Sequence, residues 1–395
     1  MALPLIASAA DRNIEFTSPV DGTKLAGTLS ISDDCVDCPL VVIANYDEDA
    51  DGSLVLPFEE LNDCYFPNME GEINRFSSIA TVLESNGVAM LRYSARAEAG
   101  GSNTEAAELT PMFYAEDLKA SIEAGKMESG VGQGDVGIIT TLESHFLLTK
   151  DVLDAGVNKI MMLTPFQGRA DSIFGNEVHD YFAECENLKQ PAVFFRSEIL
   201  RVMDSIYTID TDSNSPMSED EQSFLFNEYP KYWRTKMDMS LQAPINISES
   251  DASVYIIGST NDQLVKPRNT TRLVNRLNEL GKKPKVLEIA NLNSGLTITP
   301  NLNLSSELLI EAIEYFAPPG SVSIEDRDMF IEYENSFELK TIGSGKGQLR
   351  IIDLAGRVIS QSNDNSIEKP NNSGFYLLVY SEGSGQTRHH RFIVD

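Results

Sequence analysis

Apolar and polar positions follow two different patterns along this chain of 395 residues. From residue 13 to 316, short apolar runs alternate with stretches of helical spacing. The runs 25–30, 40–45, 88–92, 136–140, 159–164, 253–258 and 285–289 read as strands. The inner ones (PLVVIAN, GVAMLRY, DVGIIT, KIMMLT, SVYIIGS) are almost continuously apolar, as expected when helices cover both faces of a parallel sheet. Between them, Phe76, Ala80 and Leu83 fall at i, i+4 and i+7. Ala115, Leu118 and Ile122 repeat that spacing, as do Leu273, Leu277 and Leu280, and Leu309, Ile313 and Phe316 close the series. Right-handed crossovers turn such a βαβ array into one doubly wound, mostly parallel α/β sheet. The alternation fails between residues 167 and 252, a stretch rich in Asp, Ser, Asn and aromatics. It reads as a partly helical cap or lid inserted over the sheet, with Ser218-Glu-Asp-Glu221 as a capping box for one helix.

After Phe316 the pattern changes. Ala317-Pro-Pro-Gly320 reads as a linker. Residues 326–395 show short alternating strands (QLRIIDL, FYLLVY, RHHRFIV) between Gly, Ser and Asn turns, which predicts a small β-sandwich. The expected organisation is therefore an α/β domain over 13–318, with its cap at 167–252, and a sandwich over 326–395. Residues 1–12 open MALPLIASAA, too short for a whole signal peptide and without a basic start. Ala7-Ser8-Ala9 matches the small-residue end of one, so the segment reads as a remnant export signal or as an ordinary disordered start.

Composition narrows the function classes. Lys and Arg number 31 against 60 Asp and Glu, a formal charge of −29. That balance provides no basic surface for nucleic acid and opposes an anionic membrane. No apolar run reaches the roughly 18–20 residues of a membrane span. Cysteines are sparse. Cys35-Val-Asp-Cys38 is a lone CxxC, which reads as a short surface disulfide or two ordinary thiols rather than a zinc site.

In an open parallel sheet, ligands gather at the carboxyl ends of the strands. The runs at those ends, SPVDGTKLAGTLSI, PLVVIAN, GVAMLRYSARAEAGGS, EDLKASIEAG and DVGIIT, resemble the α/β-hydrolase family. Within it, the chain is most similar to serine esterase and aminopeptidase-like members. The likeness extends over residues 13–318 and includes YPKYWRTKMDMSLQAPINISESDASVYIIGSTNDQLVKP. It implies a serine-histidine-acid triad, with the serine at the tip of a strained G-x-S-x-G turn.

The matching positions depart from that triad. Thr140-Thr141-Leu142-Glu143-Ser144 places Leu142 at the nucleophile position, with Thr140 and Ser144 for the two glycines. Thr140-x-x-Glu143 reads instead as a capping box, a sharp turn relaxed into a helix start. Ser144 is the alternative nucleophile. The acid position falls in Gly258-Ser-Thr-Asn261-Asp262-Gln-Leu-Val265, on Asn261 or Asp262, and the histidine position in Asn291-Leu-Asn-Ser294 is Ser294. The chain's histidines are His145, His179, His389 and His390, and none follows the last sheet strand within the first domain. His145 and His179 read as packed or solvated. Where such enzymes carry a Gly-rich oxyanion turn, this chain has Asn45-Tyr46-Asp47-Glu48-Asp49, whose carboxylates would oppose a developing negative charge.

The same acidic run has a second reading. Asp47-x-Asp49-x-Asp51-Gly52 matches the opening of a calcium loop, making those aspartates candidate Ca2+ ligands, although Phe58 stands where a bidentate Glu belongs. A solvated acidic loop is the alternative. Asp210-x-Asp212-x-Asn214 reads as a turn.

The last segment carries its own resemblance. LRIIDLAGRVI over residues 349–359, Ser373-Gly374-Phe-Tyr376-Leu-Leu-Val379 and Arg388-His-His-Arg391-Phe-Ile-Val394 are similar to type IX secretion C-terminal sorting domains. Tyr333-Glu-Asn335-Ser336 lacks both usual prolines, and Asp395 ends the chain where a basic residue is usual. The resemblance implies export by a Bacteroidetes-type bacterium, a secreted or cell-surface location, and secretion machinery as a partner.

The expected function is thus an α/β-hydrolase-fold binding or scaffold protein without catalysis. It needs no cofactor apart from that Ca2+ and takes a ligand or protein at the carboxyl face of the sheet. The alternative is an ester or peptide hydrolase with a rearranged constellation.

Overall fold

The computed structural model describes residues 9–33, 35–44, 74–96, 102–105, 108–173, 175, 180, 189–206, 229–260, 262, 264–290, 292–293, 295–296 and 304–318. It also describes 330–332, 336–339, 347–353, 358–362, 366–371, 374–382 and 387–394. Strand β1 (Ala9–Thr17) alternates exposed Asn13, Glu15 and Thr17 with buried Ile14 and Phe16, the period of a strand with one wet face. It pairs antiparallel with β2 (Lys24–Ser32). Sequence reading missed β1, and β1 starts inside the segment 1–12 assigned to an export remnant. Residues 9–12 belong to the sheet.

The inner strands are buried along most of their length, as their apolar runs predict, while the last strand of the sheet is mostly exposed. β3 (Cys38–Ala44), β4 (Ala89–Tyr93), β5 (Val131–Thr141), β6 (Val157–Leu163), β7 (Ser253–Ser259) and β8 (Lys285–Ile289) follow in the chain. The sheet order is β1-β2-β4-β3-β5-β6-β7-β8. Every pair from β4 to β8 is parallel, and β2 runs antiparallel to both its neighbours.

Successive side chains leave on opposite faces and feed two cores. Leu40, Val42 and Ala44 join one, while Val41 and Ile43 join the other. Helices α1 (Arg75–Glu84) and α6 (Ser306–Phe316) cover the second face through Phe76, Leu83, Leu308 and Phe316. Helices α2 (Pro111–Met127), α4 (Pro230–Glu249) and α5 (Arg268–Glu279) cover the first through Leu118, Trp233 and Leu273. Gly137 lets α6 lie flush on the sheet, since a Cβ there would come within 2.4 Å of the Phe316 ring.

Between β6 and β7 lie α3 (Lys189–Ile206) and α4, so the break in alternation marks a helical insertion. The box at 218–221 lies outside the described residues. Cys35 and Cys38 are disulfide-bonded at the mouth of β3.

Beyond residue 318 the described strands form two antiparallel sheets. β9 (Phe330–Glu332), β10 (Ser336–Leu339) and β13 (Ser366–Glu368) make one, in the order β13-β10-β9. β11 (Gly347–Asp353), β12 (Val358–Ser362), β14 (Gly374–Glu382) and β15 (Thr387–Val394) make the other, in the order β12-β11-β14-β15.

Candidate functional site

The register aligns the carboxyl ends of the parallel strands along one edge. Thr141 pairs with Leu163, Leu163 with Ile257, and Ser259 with Ile289. Leu142 therefore leaves β5 and Asp262 follows β7 on the same edge, two strand spacings or roughly 10 Å apart across the sheet. The next exit, after β8, holds Leu292 and Asn293, while Ser294 and Asn261 lie outside the described residues. So do Asn45 to Asp51, Asp210 to Asn214 and His179. Among the described residues no group of three His, Cys, Asp or Glu could hold a metal.

The turn at Leu142 is not the relaxed helix start expected from the sequence. Thr140 and Thr141 remain in β5, and Leu142 adopts φ +50°. Glu143, at φ −90°, then leads into a 3-10 turn (Ser144–Leu147) and makes no side-chain cap. A leucine in the left-handed region costs on the order of 1–2 kcal/mol. The surroundings impose it. Leu142 N–H donates to the Leu163 carbonyl at 3.3 Å, and Phe166 N–H donates to the Leu142 carbonyl at 3.2 Å, stitching the ends of β5 and β6 together. The Thr141 N–H donates to Ser144 Oγ at 2.8 Å, closing the turn from the other side. The strained strand-to-helix elbow is present, with an aliphatic side chain at its tip.

Ser144 is buried, and its oxygen accepts that Thr141 proton. His145 is fully buried, with Nδ1 3.0 Å from the Leu142 carbonyl and Nε2 without a partner. Burial pushes its imidazole down to about 4, against the opposing hydrogen bond to Leu142. His145 is thus a packed neutral histidine behind the elbow.

Asp262 is 3% exposed. Its Oδ1 accepts from the N–H groups of Leu264 at 2.8 Å and Val265 at 3.0 Å, while Oδ2 is buried without a partner. Burial pushes its carboxyl up to about 7, opposed by those N–H groups and by Lys266.

Sequence reasoning missed Thr164, at the exit between these two. It is buried, holds φ +44°, and leaves Oγ1 unpartnered. A β-branched residue with positive φ is an outlier that local propensity argues against. Above the elbow, Lys236 of α4 reaches Glu143 at 3.4 Å and stacks over the Trp233 ring at 5.2 Å. α4 packs on the turn that follows Leu142, and Asn246 donates to the Leu148 carbonyl at 3.2 Å.

Arg96 anchors the neighbouring β4 exit. It forms a bidentate pair with Asp117 at 2.6 and 2.8 Å and reaches Asp21 at 2.7 Å. Burial would raise the Asp21 carboxyl, but hydrogen bonds from Arg96, Thr104 and Thr23 hold it well below the usual range. This satisfied cluster ties the loop after β4 to the β1–β2 turn and to α2.

Strand order, parallel register and the elbow after β5 together define an α/β-hydrolase fold. No family model matches the chain, and no curated protein matches its sequence. Solved structures are similar at low identity. An acylaminoacyl peptidase from Pyrococcus horikoshii is 14% identical with a TM-score of 0.48, over 79% of this chain and 42% of its own. An esterase from Pyrococcus furiosus is 14% identical with a TM-score of 0.46, over 80% of this chain and 95% of its own. Porphyromonas gingivalis dipeptidyl peptidase 4 is 12% identical with a TM-score of 0.45, over 78% of this chain and 35% of its own. The chain thus spans less than half the length of the two peptidases.

Proposed function

We propose that this α/β-hydrolase-fold chain has lost serine-hydrolase catalysis and acts as a binding or scaffold module. One observation carries the reading: Leu142 occupies the tip of an intact elbow, where its side chain has no proton to lose and no atom to attack with. The residues around it agree. Ser144 spends its oxygen on the turn, His145 is buried and neutral, and Ser294 stands at the histidine position. Losing the serine or the histidine alone costs on the order of 10⁶ in kcat in a well-studied serine protease. We extend the proposal to location. The 326–395 segment acts as a sorting-like domain, placing the protein outside the cell or on its surface through secretion machinery.

The test is reactivity. Purified protein should form no adduct with a fluorophosphonate probe and should not turn over p-nitrophenyl esters or aminoacyl amides. Turnover removed by Ser144→Ala or Asp262→Ala would overturn the reading. Leu142→Ser restores a hydroxyl at the elbow but no base, so its ester hydrolysis should stay at background.

The rearranged-hydrolase alternative has one observation in its favour, the buried Asp262 with Oδ2 free to accept. It predicts that a serine adduct forms and that Asp262→Asn reduces its rate of formation.

A further inference from the structure

The Cys35–Cys38 disulfide stands away from the elbow, at the amino end of β3. It closes a turn over residues 35–38 whose tip is in water. Val36 is 82% exposed, and Asp37 beside it is exposed too. The two cysteines differ in access. Cys38 is 7% exposed and belongs to the core on one face of the sheet, whereas Cys35 is half-buried at the margin of that core. A nucleophile arriving from water therefore meets Cys35 first.

Two observations separate this bond from a simple staple. The backbone holds the turn without it. The Cys35 N–H donates to the Ser32 carbonyl at 3.0 Å, and the Cys38 N–H donates to the Gly130 carbonyl at 3.0 Å. Gly130 and Gly132 let the turn lie against the start of β5. A Cβ on them would come within 2.8 Å of the Cys35 carbonyl oxygen and 2.7 Å of the Asp37 one. A bridge across so short a loop also removes little freedom from the unfolded chain. The second observation is strain. Asp37, between the cysteines, is held at φ +55°, a left-handed conformation that is unfavourable for L residues, although Asp tolerates it better than most. The bridge closes over that conformation, so opening it frees Asp37 to relax.

We propose that Cys35–Cys38 is a reversible thiol–disulfide exchange site, opened by a dithiol reductant while the domain stays folded. A thiolate of the reductant bonds to Cys35 Sγ, and the Cys35–Cys38 bond breaks. Its electron pair leaves on Cys38 Sγ, which takes a proton from water. The reductant's second thiol loses its proton, attacks the reductant sulfur of the mixed disulfide and expels the Cys35 thiolate. Two electrons pass to the cysteines, and the dithiol becomes a disulfide. The freed element is the Val36–Asp37 tip, at the end of the sheet opposite Leu142, so the exchange is independent of what binds at the elbow.

The experiment equilibrates the native full chain, without denaturant, in buffers of reduced and oxidised dithiothreitol. A maleimide quench and peptide mapping by mass spectrometry then follow Cys35 and Cys38. The pair should open and reclose reversibly, with circular dichroism and the fluorescence of Trp233, the chain's single tryptophan, unchanged. Asp37→Val puts a β-branched residue at the strained position and should move the balance about tenfold toward the open form. Asp37→Asn keeps the left-handed tolerance and should leave the balance within about twofold. In Cys38→Ser, the remaining Cys35 thiol should react with iodoacetamide about tenfold faster than Cys38 does in Cys35→Ser.

A bridge that opens only after urea unfolds the chain would overturn the proposal. So would opening that alters the circular dichroism, a balance unmoved by Asp37→Val, or equal alkylation of the two thiols. Adduct formation at the elbow is untouched by any of these outcomes.

Discussion

Asp262 and His145 set opposite pH dependences a few residues from the same sheet edge. An unfolded Asp262 releases its proton near pH 4, and the folded one near 7, so the folded chain holds an extra proton in between. Stability from this group is full below pH 4 and falls as pH rises to 7. His145 behaves in reverse. Unfolded, it takes a proton near pH 6.5, and folded, it resists down to about 4, so stability falls as pH drops across that window. The two slopes partly cancel in the native protein. Asp262→Asn should remove the first, gaining on the order of a few kcal/mol above pH 7 and nothing at pH 4. Calorimetric melts of both proteins from pH 4 to 8 read this directly, and parallel curves would contradict it. Of these features the sequence shows only the identities. That a leucine stands at the nucleophile position is legible from spacing. That it keeps φ +50° is not, because the bonds holding it come from Leu163 and Phe166, on the neighbouring strand exit.

Among the elements, α4 ties the cap to the sheet. Ser240, buried in its middle, donates to the Met237 carbonyl at 2.7 Å and accepts from the Ala170 N–H at 3.1 Å. This hydroxyl therefore joins the cap helix to the turn that follows β6. Pro244, inside the same helix, cannot donate to the Ser240 carbonyl. Ser240→Ala leaves a buried amide unpaired and should cost about 1–3 kcal/mol. Urea unfolding followed by Trp233 fluorescence would measure it, and a midpoint unchanged within error would refute it. Apolar periodicity predicts α1, α2, α5 and α6 because each lies one-sidedly on the sheet. β1 escaped that reading because only Ile14 and Phe16 mark its buried face. α4 escaped because Lys236 and Ser240 interrupt its apolar stripe while pairing within the fold.

For the whole molecule, the charge of −29 is unevenly shared. Residues 321–395 carry 8 basic and 11 acidic side chains, a net of −3, so −26 falls on residues 1–320. Self-repulsion of that size opposes compactness, and added salt screens it over a Debye length of roughly 8–10 Å. The first domain should therefore melt higher as sodium chloride rises from low to moderate concentration, measured by calorimetry. A falling melting temperature would show that the fold's ion pairs, Arg96–Asp21 and Arg96–Asp117 first among them, outweigh the repulsion. Composition gave this balance at once.

The strand order has a consequence for how the chain assembles. β1 and β2 are neighbours in sequence and pair with each other, but they meet the rest of the sheet only through β4, which follows β3 in the chain. The other pairings are parallel and wait on a crossover, so each loop closes before its contacts reward it. The hairpin should therefore dock late, once β3 and β4 have met.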